Sequence, residues 1–288
     1  MSPFGLEYPV VFRLGRLTRL RLRGGDVRRY LQGQLSNRLP EEGRANRALV
    51  LTAKGKLCAM VFVFAMPGGD FVLETEWGLR ENFLERMGRY VVADDVEIED
   101  ISREENGWHI LGAPEGMCFA AGFPVERLGE VGWDVAEIPR EGCVWRLASG
   151  AEVEWIRICR GIPAWGRELD ENTLPQEAGL ERWAVDFHKG CYVGQEVVSR
   201  IQSVGRVNRR LRGFVGEFPL VAGQRVLDAE EKVVGELRSV SRHLAGGERE
   251  GSVGLGYLST RSDGEVFSIA EEGGKIVGFG RLYEFPLV

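Results

Sequence analysis

The sequence predicts an α+β fold in which antiparallel sheets are flanked by helices and a small β-barrel follows. Strands and helices mix over the first hundred residues without the strand–helix–strand rhythm of a parallel sheet. Glycine-containing turns, such as the one at 53–56, join consecutive apolar runs, which is typical of hairpins. From about residue 205 onward only short apolar runs and polar turns remain, and this pattern favours a separate barrel.

The first hundred residues divide into strands and two helices. Residues 12–23 predict one or two strands, and Asp26 can cap a helix whose apolar positions recur at helical spacing (Val27, Tyr30, Leu31 and Leu35). Residues 49–73 predict an antiparallel meander. A stripe of apolar residues predicts a helix over 76–90, and the alternation at 96–99 predicts an outer strand.

The middle of the chain is richer in glycine and proline. Residues 102–143 predict several strands with one short helix near 125–131. Residues 152–160 predict a helix that ends at Gly161, because Pro163 prevents its continuation. A polar loop at 165–176 follows, and the strands of the barrel come after Arg212.

Composition excludes several classes of protein. With 288 residues and 44% hydrophobic content, the chain is long enough to bury a large core without disulfides or metals. Its five cysteines are an odd number at wide spacing, which supports neither a disulfide framework nor a metal or redox motif. We therefore expect no metal site. The net charge of −6 argues against a general DNA-binding protein.

The sequence also predicts a location. No apolar run reaches the roughly 20 residues that a membrane span needs, and no export signal is recognisable. Several arginines between 13 and 23 raise the alternative of an organellar transit peptide, but the alternation at 20–23 favours a strand. We expect a cytoplasmic protein without membrane contacts.

Residues 189–196, Lys-Gly-Cys-Tyr-Val-Gly-Gln-Glu, have a composition that no regular secondary structure requires. Gly190 and Gly194 allow a positive φ or a close backbone approach, and polar side chains stand beside them. A basic run follows, with six cations and one acid between 189 and 212 (Lys189, Arg200, Arg206, Arg209, Arg210 and Arg212, against Glu196). In an acidic chain this local excess indicates an anionic partner.

The motif at 189–196 resembles the signature of the YgfZ-type folate-binding proteins, relatives of the glycine-cleavage T-protein, an aminomethyltransferase. Three segments upstream resemble, in the same order, segments that both branches share: 157–163, 166–169 and Thr-Leu-Pro-Gln-Glu-Ala-Gly-Leu at 173–180. Tyr-Leu-Gln-Gly-Gln at 30–34 and Ala-Lys-Gly-Lys at 53–56 fit the YgfZ branch. The resemblance covers nearly the whole chain.

This resemblance implies a three-lobed, T-protein-like fold around a central tetrahydrofolate pocket. Residues 1–204 would form a folate-binding region of two interleaved α+β subdomains, the second lobe at roughly 25–100, and residues 205–288 the C-terminal barrel. Glu177 matches the carboxylate that pairs with the pterin ring in T-proteins, and a carboxylate suits the adjacent N–H donors of that ring. The other implied folate contacts are Lys189, Gly190, Tyr192, Gly194 and Gln195.

Two departures from the T-protein pattern bear on the reaction. Gln195 stands where T-proteins tend to carry an arginine, so a neutral amide replaces a cation. T-proteins also place an aspartate pair just after the turn that matches 54–56, and one of these aspartates is the catalytic acid or base. Here residues 57–60 are Leu-Cys-Ala-Met, and we expect no nearby acid to take over the proton transfer. Aminomethyl transfer is therefore predicted to be absent.

Cys191 is the candidate functional thiol. It lies two residues from Lys189 and three from His188, cationic neighbours that favour a partly ionised thiolate. One alternative is a buried, inert cysteine. Another is a Cys191–His188 pair in a hydrolase, for which the sequence shows neither an oxyanion hole nor an orienting group.

The resemblance implies a tetrahydrofolate-binding accessory protein in iron–sulfur cluster assembly or repair. It would affect tRNA modification indirectly, because some modifying enzymes contain such clusters. The implied partners are folate, with a polyglutamylated form as one option, and iron–sulfur client or assembly proteins. One alternative is a folate-dependent aminomethyltransferase or demethylase, against which the missing aspartates count. The other is an RNA-associated module that uses residues 200–212, although only Phe214 lies close enough to stack on bases.

Overall fold

The computed structural model describes residues 9–103, 107–114, 117, 119, 122–139, 144–242, 251–262 and 264–286. It confirms the α+β class, with two five-stranded sheets and a closed six-stranded barrel. The strands pair antiparallel, except for one short parallel pairing between the first strand and Arg146–Leu147. Among these residues, no helix is both long and apolar enough to cross a membrane.

The elements alternate irregularly along the chain. The helices are α1 Val27–Gln34, α2 Arg80–Gly88, α3 Gly150–Cys159 and α4 Gln195–Ser203. The strands before the barrel are β1 Val10–Arg13, β2 Leu17–Arg23, β3 Ala45–Leu51, β4 Leu57–Ala65, β5 Phe71–Glu76, β6 Glu97–Asp100, β7 Trp108–Leu111, β8 Phe123–Val125, β9 Gly132–Val135 and β10 Arg146–Leu147. The barrel strands are β11 Arg209–Gly216, β12 Arg225–Leu227, β13 Val233–Arg242, β14 Ser252–Ser259, β15 Val266–Ala270 and β16 Ile276–Tyr283.

One lobe is the sheet β3-β4-β5-β2-β6 with α1 and α2 packed on one of its faces. In β2, leucines alternate with arginines, so Leu20 and Leu22 turn toward the helices and meet Tyr30 and Phe83 in a fully enclosed core. Each such buried side chain contributes about 1.5 to 3 kcal/mol. Because β2 belongs to this sheet, the lobe includes residues upstream of 25.

The other sheet, β10-β1-β7-β9-β8, packs against the remaining face of that lobe. Phe64 of β4 meets Phe123 of β8 edge to face, with ring centroids 5.4 Å apart. Arg127, which follows β8, bonds Asp134 of β9 at 2.8 Å and Glu74 of β5 at 2.5 Å. All three charged side chains are buried. Since β1 precedes and β7 follows the helical lobe, the two lobes interleave along the chain.

Helix α3 connects the first sheet to the barrel. Ser149 and Glu152 form a capping box at its N-terminus, and Gly161, with φ 68°, follows its C-terminal end, as the sequence predicts. The buried Arg157 donates to Glu168 at 3.0 Å and to the Ser239 hydroxyl of β13 at 2.7 Å. The segments at 157–163 and 166–169 therefore hold the barrel against the rest of the molecule.

The barrel closes in the order β11-β14-β13-β12-β15-β16, which confirms the predicted C-terminal β-barrel. Its interior is filled by Phe214, Leu237 and Ile269, all fully buried. Tyr257 and Tyr283 reach out of it: their hydroxyls donate to the carbonyls of Glu168 and Ile158, each at 2.8 Å.

Three local predictions differ from the structure. Residues 125–131 form the end of β8 and a turn, not a helix, because Gly129 takes a φ of 78° and Arg127 is committed to buried ion pairs. Helix α4 was not predicted, since the glycines before it and the basic residues after it obscured its apolar positions. Asp26 precedes α1, but its carboxylate accepts the N–H of Asp95 at 2.9 Å instead of capping the helix.

Candidate functional site

The signature loop, residues 189–194, lies on the C-terminal end of α1. Lys189 Nζ donates to the carbonyls of Gln32 and Leu35, both at 2.6 Å, and the Val193 N–H donates to the Gly33 carbonyl at 3.1 Å. A cation stabilises the unpaired carbonyls at this end of a helix. Burial lowers the pKa of Lys189 to about 8. The ammonium group thus joins two segments that carry the resemblance.

The turn at 53–56 packs against the end of the signature loop through two glycines. Gly194 has φ 86°, and a Cβ there would lie 2.5 Å from the Thr52 carbonyl oxygen. Gly55 has φ 74°, and its Cβ would lie 2.9 Å from the Cβ of Val197 in α4. A side chain at either position would separate α4 from the turn. The predicted need for glycine is confirmed at Gly194, whereas nothing in the structure explains Gly190.

Cys191 and Tyr192 occupy opposite environments. Cys191 is exposed, whereas Tyr192 is buried in a core with Leu51 and Leu57. The Tyr192 hydroxyl has no hydrogen-bond partner in the described structure, and burial raises its pKa to about 12. The Gln195 side-chain oxygen accepts the Tyr192 N–H at 3.4 Å. The loop is therefore anchored by its tyrosine and displays its thiol.

The His188–Cys191 pair is not assembled. His188 is exposed, and its backbone N–H donates to the Asp186 carboxylate at 2.7 Å. Among the described hydrogen bonds, none joins the His188 ring to the thiol of Cys191. A hydrolase based on this pair gains no support.

The segment at 173–180 runs between the helical lobe and the barrel. The Thr173 carbonyl accepts the Leu57 N–H at 3.1 Å, and the Glu177 carbonyl accepts the Leu211 N–H of β11 at 2.7 Å. The Glu177 carboxylate accepts the Leu174 N–H at 3.2 Å and pairs with Arg209 at 3.3 Å. Glu177 thus has a defined position beside β11, with its charge balanced by Arg209.

Two adjoining cavities surround this segment. One, of about 420 Å³, has Glu177 and Trp183 in its wall, and the other has a volume of about 910 Å³. Both are lined by Gln176, Glu181, Arg182 and Arg210, so they are neighbours. Volumes of this order hold drug-sized ligands.

The shared wall of the two cavities contains unpaired acceptors. Gln176 Nε2 donates to the Val198 carbonyl at 2.8 Å, but its Oε1 is buried without a partner in the described structure. Glu181 Oε2 is in the same state, and burial raises the pKa of this carboxyl group. A buried acceptor without a donor costs about 1 to 3 kcal/mol. A ligand with N–H donors would remove that cost.

The larger cavity is strongly basic. Four arginines and one acid line it, and none of the four is in a described ion pair (Arg182, Arg206, Arg210 and Arg261, against Glu181). The predicted basic run is therefore divided. Arg200 pairs with Glu196 at 2.7 Å and Arg209 with Glu177, whereas Arg206 and Arg210 face this cavity.

The position of the T-protein aspartates requires a correction. Phe62 of β4 pairs with Glu74 of β5, and continuing this antiparallel register by two residues puts Met60 opposite Glu76. The Thr75 hydroxyl donates to the Met60 carbonyl at 2.8 Å, in agreement with that register. Burial raises the pKa of Glu76. The expectation that no acid lies nearby was wrong, because the neighbouring strand supplies one.

Several site residues escaped the sequence analysis. Gln176 and Glu181 stand beside the predicted Glu177, but only the structure shows their unpaired oxygens. Arg182 and Arg261 are too far apart in the sequence to be recognised as one group. No group of three or more His, Cys, Asp or Glu side chains that could hold a metal occurs in the ranges that the structure describes.

No family model matches the chain. It is 28% identical over 302 residues to the human iron–sulfur cluster assembly factor IBA57, mitochondrial, covering 92% of this chain and 82% of that protein. It is also 28% identical over 293 residues to the aminomethyltransferase of Rubrobacter xylanophilus, covering 86% and 72%. The glycine cleavage system aminomethyltransferase T of Bartonella henselae matches 99% of this chain and 88% of its own at a TM-score of 0.81 and 17% identity. The order of motifs, the sequence relatives and the shared fold agree, and the chain is a YgfZ-type member of the glycine-cleavage T-protein superfamily.

Proposed function

We propose that this protein binds tetrahydrofolate and serves as an accessory factor in iron–sulfur cluster assembly or repair. The observation that carries the proposal is the pair of adjoining cavities around Glu177, one with unpaired acceptors and one lined with arginines. The similarity to an iron–sulfur cluster assembly factor supports the second half of the proposal. We further propose a cytoplasmic location and an indirect effect on tRNA modification through iron–sulfur client enzymes.

The residues present fit a folate. Its pterin ring carries N–H donors, and Glu177, Gln176 Oε1 and Glu181 Oε2 are acceptors in the shared wall or beside it. Its glutamate part carries carboxylates, which suit the unpaired arginines of the larger cavity. When bound, tetrahydrofolate would supply one-carbon or redox chemistry, and the chain's own contribution is to position it.

The first test measures the role of Glu177. We expect the parent protein to bind tetrahydrofolate under anaerobic conditions and Glu177→Ala to bind it at least tenfold more weakly. The variant removes an acceptor and leaves Arg209 without its partner. Calorimetric titration of both proteins provides the measurement. Lack of binding by the parent would refute the folate assignment.

A matched variant distinguishes the two carboxylates. Glu181→Gln keeps the shape of the side chain but converts one carboxylate oxygen into an N–H donor. If Glu181 accepts from the pterin ring, this change weakens binding as well. Equal affinity of the parent and Glu177→Ala would show that Glu177 does not hold the pterin ring, and a loss confined to Glu181→Gln would transfer that role to Glu181.

The second test concerns the glutamate tail. Screened surface charge favours additional carboxylates near Arg206 and Arg210. We expect polyglutamylated folate to bind more tightly than the monoglutamate at low salt, and the difference to shrink at high salt. Arg206→Gln should reduce the difference, whereas Arg200→Gln, which removes an arginine already paired with Glu196, should leave it unchanged. Equal affinities for both folates at both salt concentrations would leave these arginines as ordinary surface.

Aminomethyl transfer is a second candidate function. Met60 replaces the catalytic aspartate of T-proteins, and this replacement still argues against the reaction. The sequence similarity to an aminomethyltransferase and the presence of Glu76 opposite Met60 are the observations that favour it. Formation of methylenetetrahydrofolate from an aminomethylated lipoyl carrier, measured with Glu76→Gln as the comparison, distinguishes the two functions.

A further inference from the structure

A separate cleft lies between the two lobes. It has a volume of about 660 Å³, and of the residues that the structure describes, none lines both this cleft and the cavities around Glu177. One wall is the face of β2, β5 and β6 that turns away from α1 and α2, and the other comes from β7, β8 and β9. The cleft is open to solvent and has the size of a small-molecule site.

The floor of this interlobe cleft is aromatic. Phe64 and Phe123 meet edge to face in it, and Trp108 of β7 forms part of the wall. Phe123 and Trp108 are only partly buried, so aromatic surface remains accessible. The guanidinium group of Arg13 lies 5.0 Å from the centre of the Trp108 ring. Such surfaces favour a flat apolar group that can stack on them.

The rim of the cleft is basic. Its lining has four arginines and two acids (Arg13, Arg19, Arg21 and Arg103, against Glu99 and Asp134). Arg19 is neutralised by Glu74 at 2.6 Å, and Asp134 by Arg127 at 2.5 Å. Three guanidinium groups therefore remain in the lining for one acid, Glu99.

Arg21 is the arginine best placed to take a ligand. Its Nε is buried without a hydrogen-bond partner, and its only described ion pair is a long one, 3.4 Å from Asp70. Both side chains of that pair are partly exposed, at 40% and 32%. An ion pair of this kind contributes little to stability, so a stronger anion can compete with Asp70 for the guanidinium group.

We propose that the interlobe cleft binds a small organic anion with a planar apolar body. The body stacks on Phe123 and Trp108, and the anionic group binds Arg21. The site is independent of the folate cavities, because the two share no described wall. The chemical class is an aromatic or heteroaromatic compound that carries one anionic group.

The test uses 8-anilinonaphthalene-1-sulfonate as the probe and its uncharged analogue N-phenyl-1-naphthylamine as the chemical control. Fluorescence titration of the parent protein is expected to show one saturable site for the sulfonate. Arg21→Gln should weaken sulfonate binding about tenfold, since one charge-assisted hydrogen bond is lost, and leave the uncharged dye unaffected. Ala136→Trp, which fills the cleft from its rim without removing a charge, should abolish binding of both dyes.

Two controls make the result decisive. Arg200→Gln, on the exposed face of α4, should bind both dyes like the parent. Saturating tetrahydrofolate should not displace the sulfonate. The proposal is overturned if the parent has no saturable site, if Arg21→Gln or Ala136→Trp binds the sulfonate like the parent, or if tetrahydrofolate competes with it. Thermal unfolding of each variant establishes that it is folded.

Discussion

Asp134→Asn is expected to destabilise the protein by about 3 to 5 kcal/mol, because removing one partner of a buried ion network leaves its cation uncompensated. Asp134 accepts from Arg127 Nε at 2.8 Å and contacts His109 Nδ1 at 2.7 Å. Glu74, the other partner of Arg127, is also shared with Arg19. The free energy of unfolding from denaturant titration is the measurement.

A surface pair provides the matched control for this substitution. Glu85 and Arg89 form an i,i+4 ion pair at the end of α2, and both side chains are mostly exposed. Glu85→Gln should therefore change the unfolding midpoint very little. If Asp134→Asn is no more harmful than Glu85→Gln, the interlobe network does not hold the lobes together.

The same network predicts a loss of stability in acid. The guanidinium group of Arg127 and the hydrogen bonds of Asp134 outweigh burial and lower the pKa of Asp134 to about 2. The unfolded-state value is near 3.9, so this contribution is fully present above about pH 4 and is lost as the pH falls through 2. Burial also lowers the pKa of His109, so protonation below its ordinary value acts in the same direction. Asp134→Asn should flatten the acid limb of stability against pH.

Local periodicity predicted much of the fold. The alternation at 12–23, the apolar stripe of α1, the capping sequence of α3 and the run of short barrel strands all became the expected elements. Each of these depends on residues a few positions apart, which is the range over which hydrophobic patterns carry information. Residues 125–131 do not follow this rule, because there a buried ion network between two lobes decides the conformation.

The candidate site was predicted only in part, because it depends on contacts between distant segments. The resemblance singled out Glu177 and the signature loop, but Lys189 bonds a carbonyl 154 residues away, and no local pattern shows such a partner. The pairing of Met60 with Glu76 depends on which strands are neighbours in the sheet. The four unpaired arginines come together only because β14 ends beside the loop that follows α4.

The second large effect is expected at Cys191. Cys191→Ala should abolish biological function while the fold and folate binding stay nearly intact. The structure places this thiol on the exposed side of a loop that is held from both sides, by Lys189 on α1 and by Gly194 against the turn at 53–56. Because the loop is fixed by its neighbours, the sulfur atom is not needed for packing. Exposed substitutions of this kind usually change stability by less than about 0.5 kcal/mol.

Cys159 is the matched control within the same chain. It is fully buried in α3 against the barrel, and burial raises the pKa of its thiol to about 12, which makes it unreactive. Cys159→Ala leaves a small cavity and should lower the unfolding midpoint, yet it should still complement a strain that lacks the family member. The two variants thus separate the chemistry of a thiol from its packing.

The measurement is paired for that reason. Thermal midpoints with and without tetrahydrofolate report folding and binding, and the activity of an iron–sulfur enzyme in the complemented strain reports function. Full complementation by Cys191→Ala would show that the thiol is not the working group. A loss of function accompanied by a large fall in midpoint would assign Cys191 to packing. Loss of function with an unchanged midpoint and unchanged folate binding is the result that the exposed, anchored loop predicts.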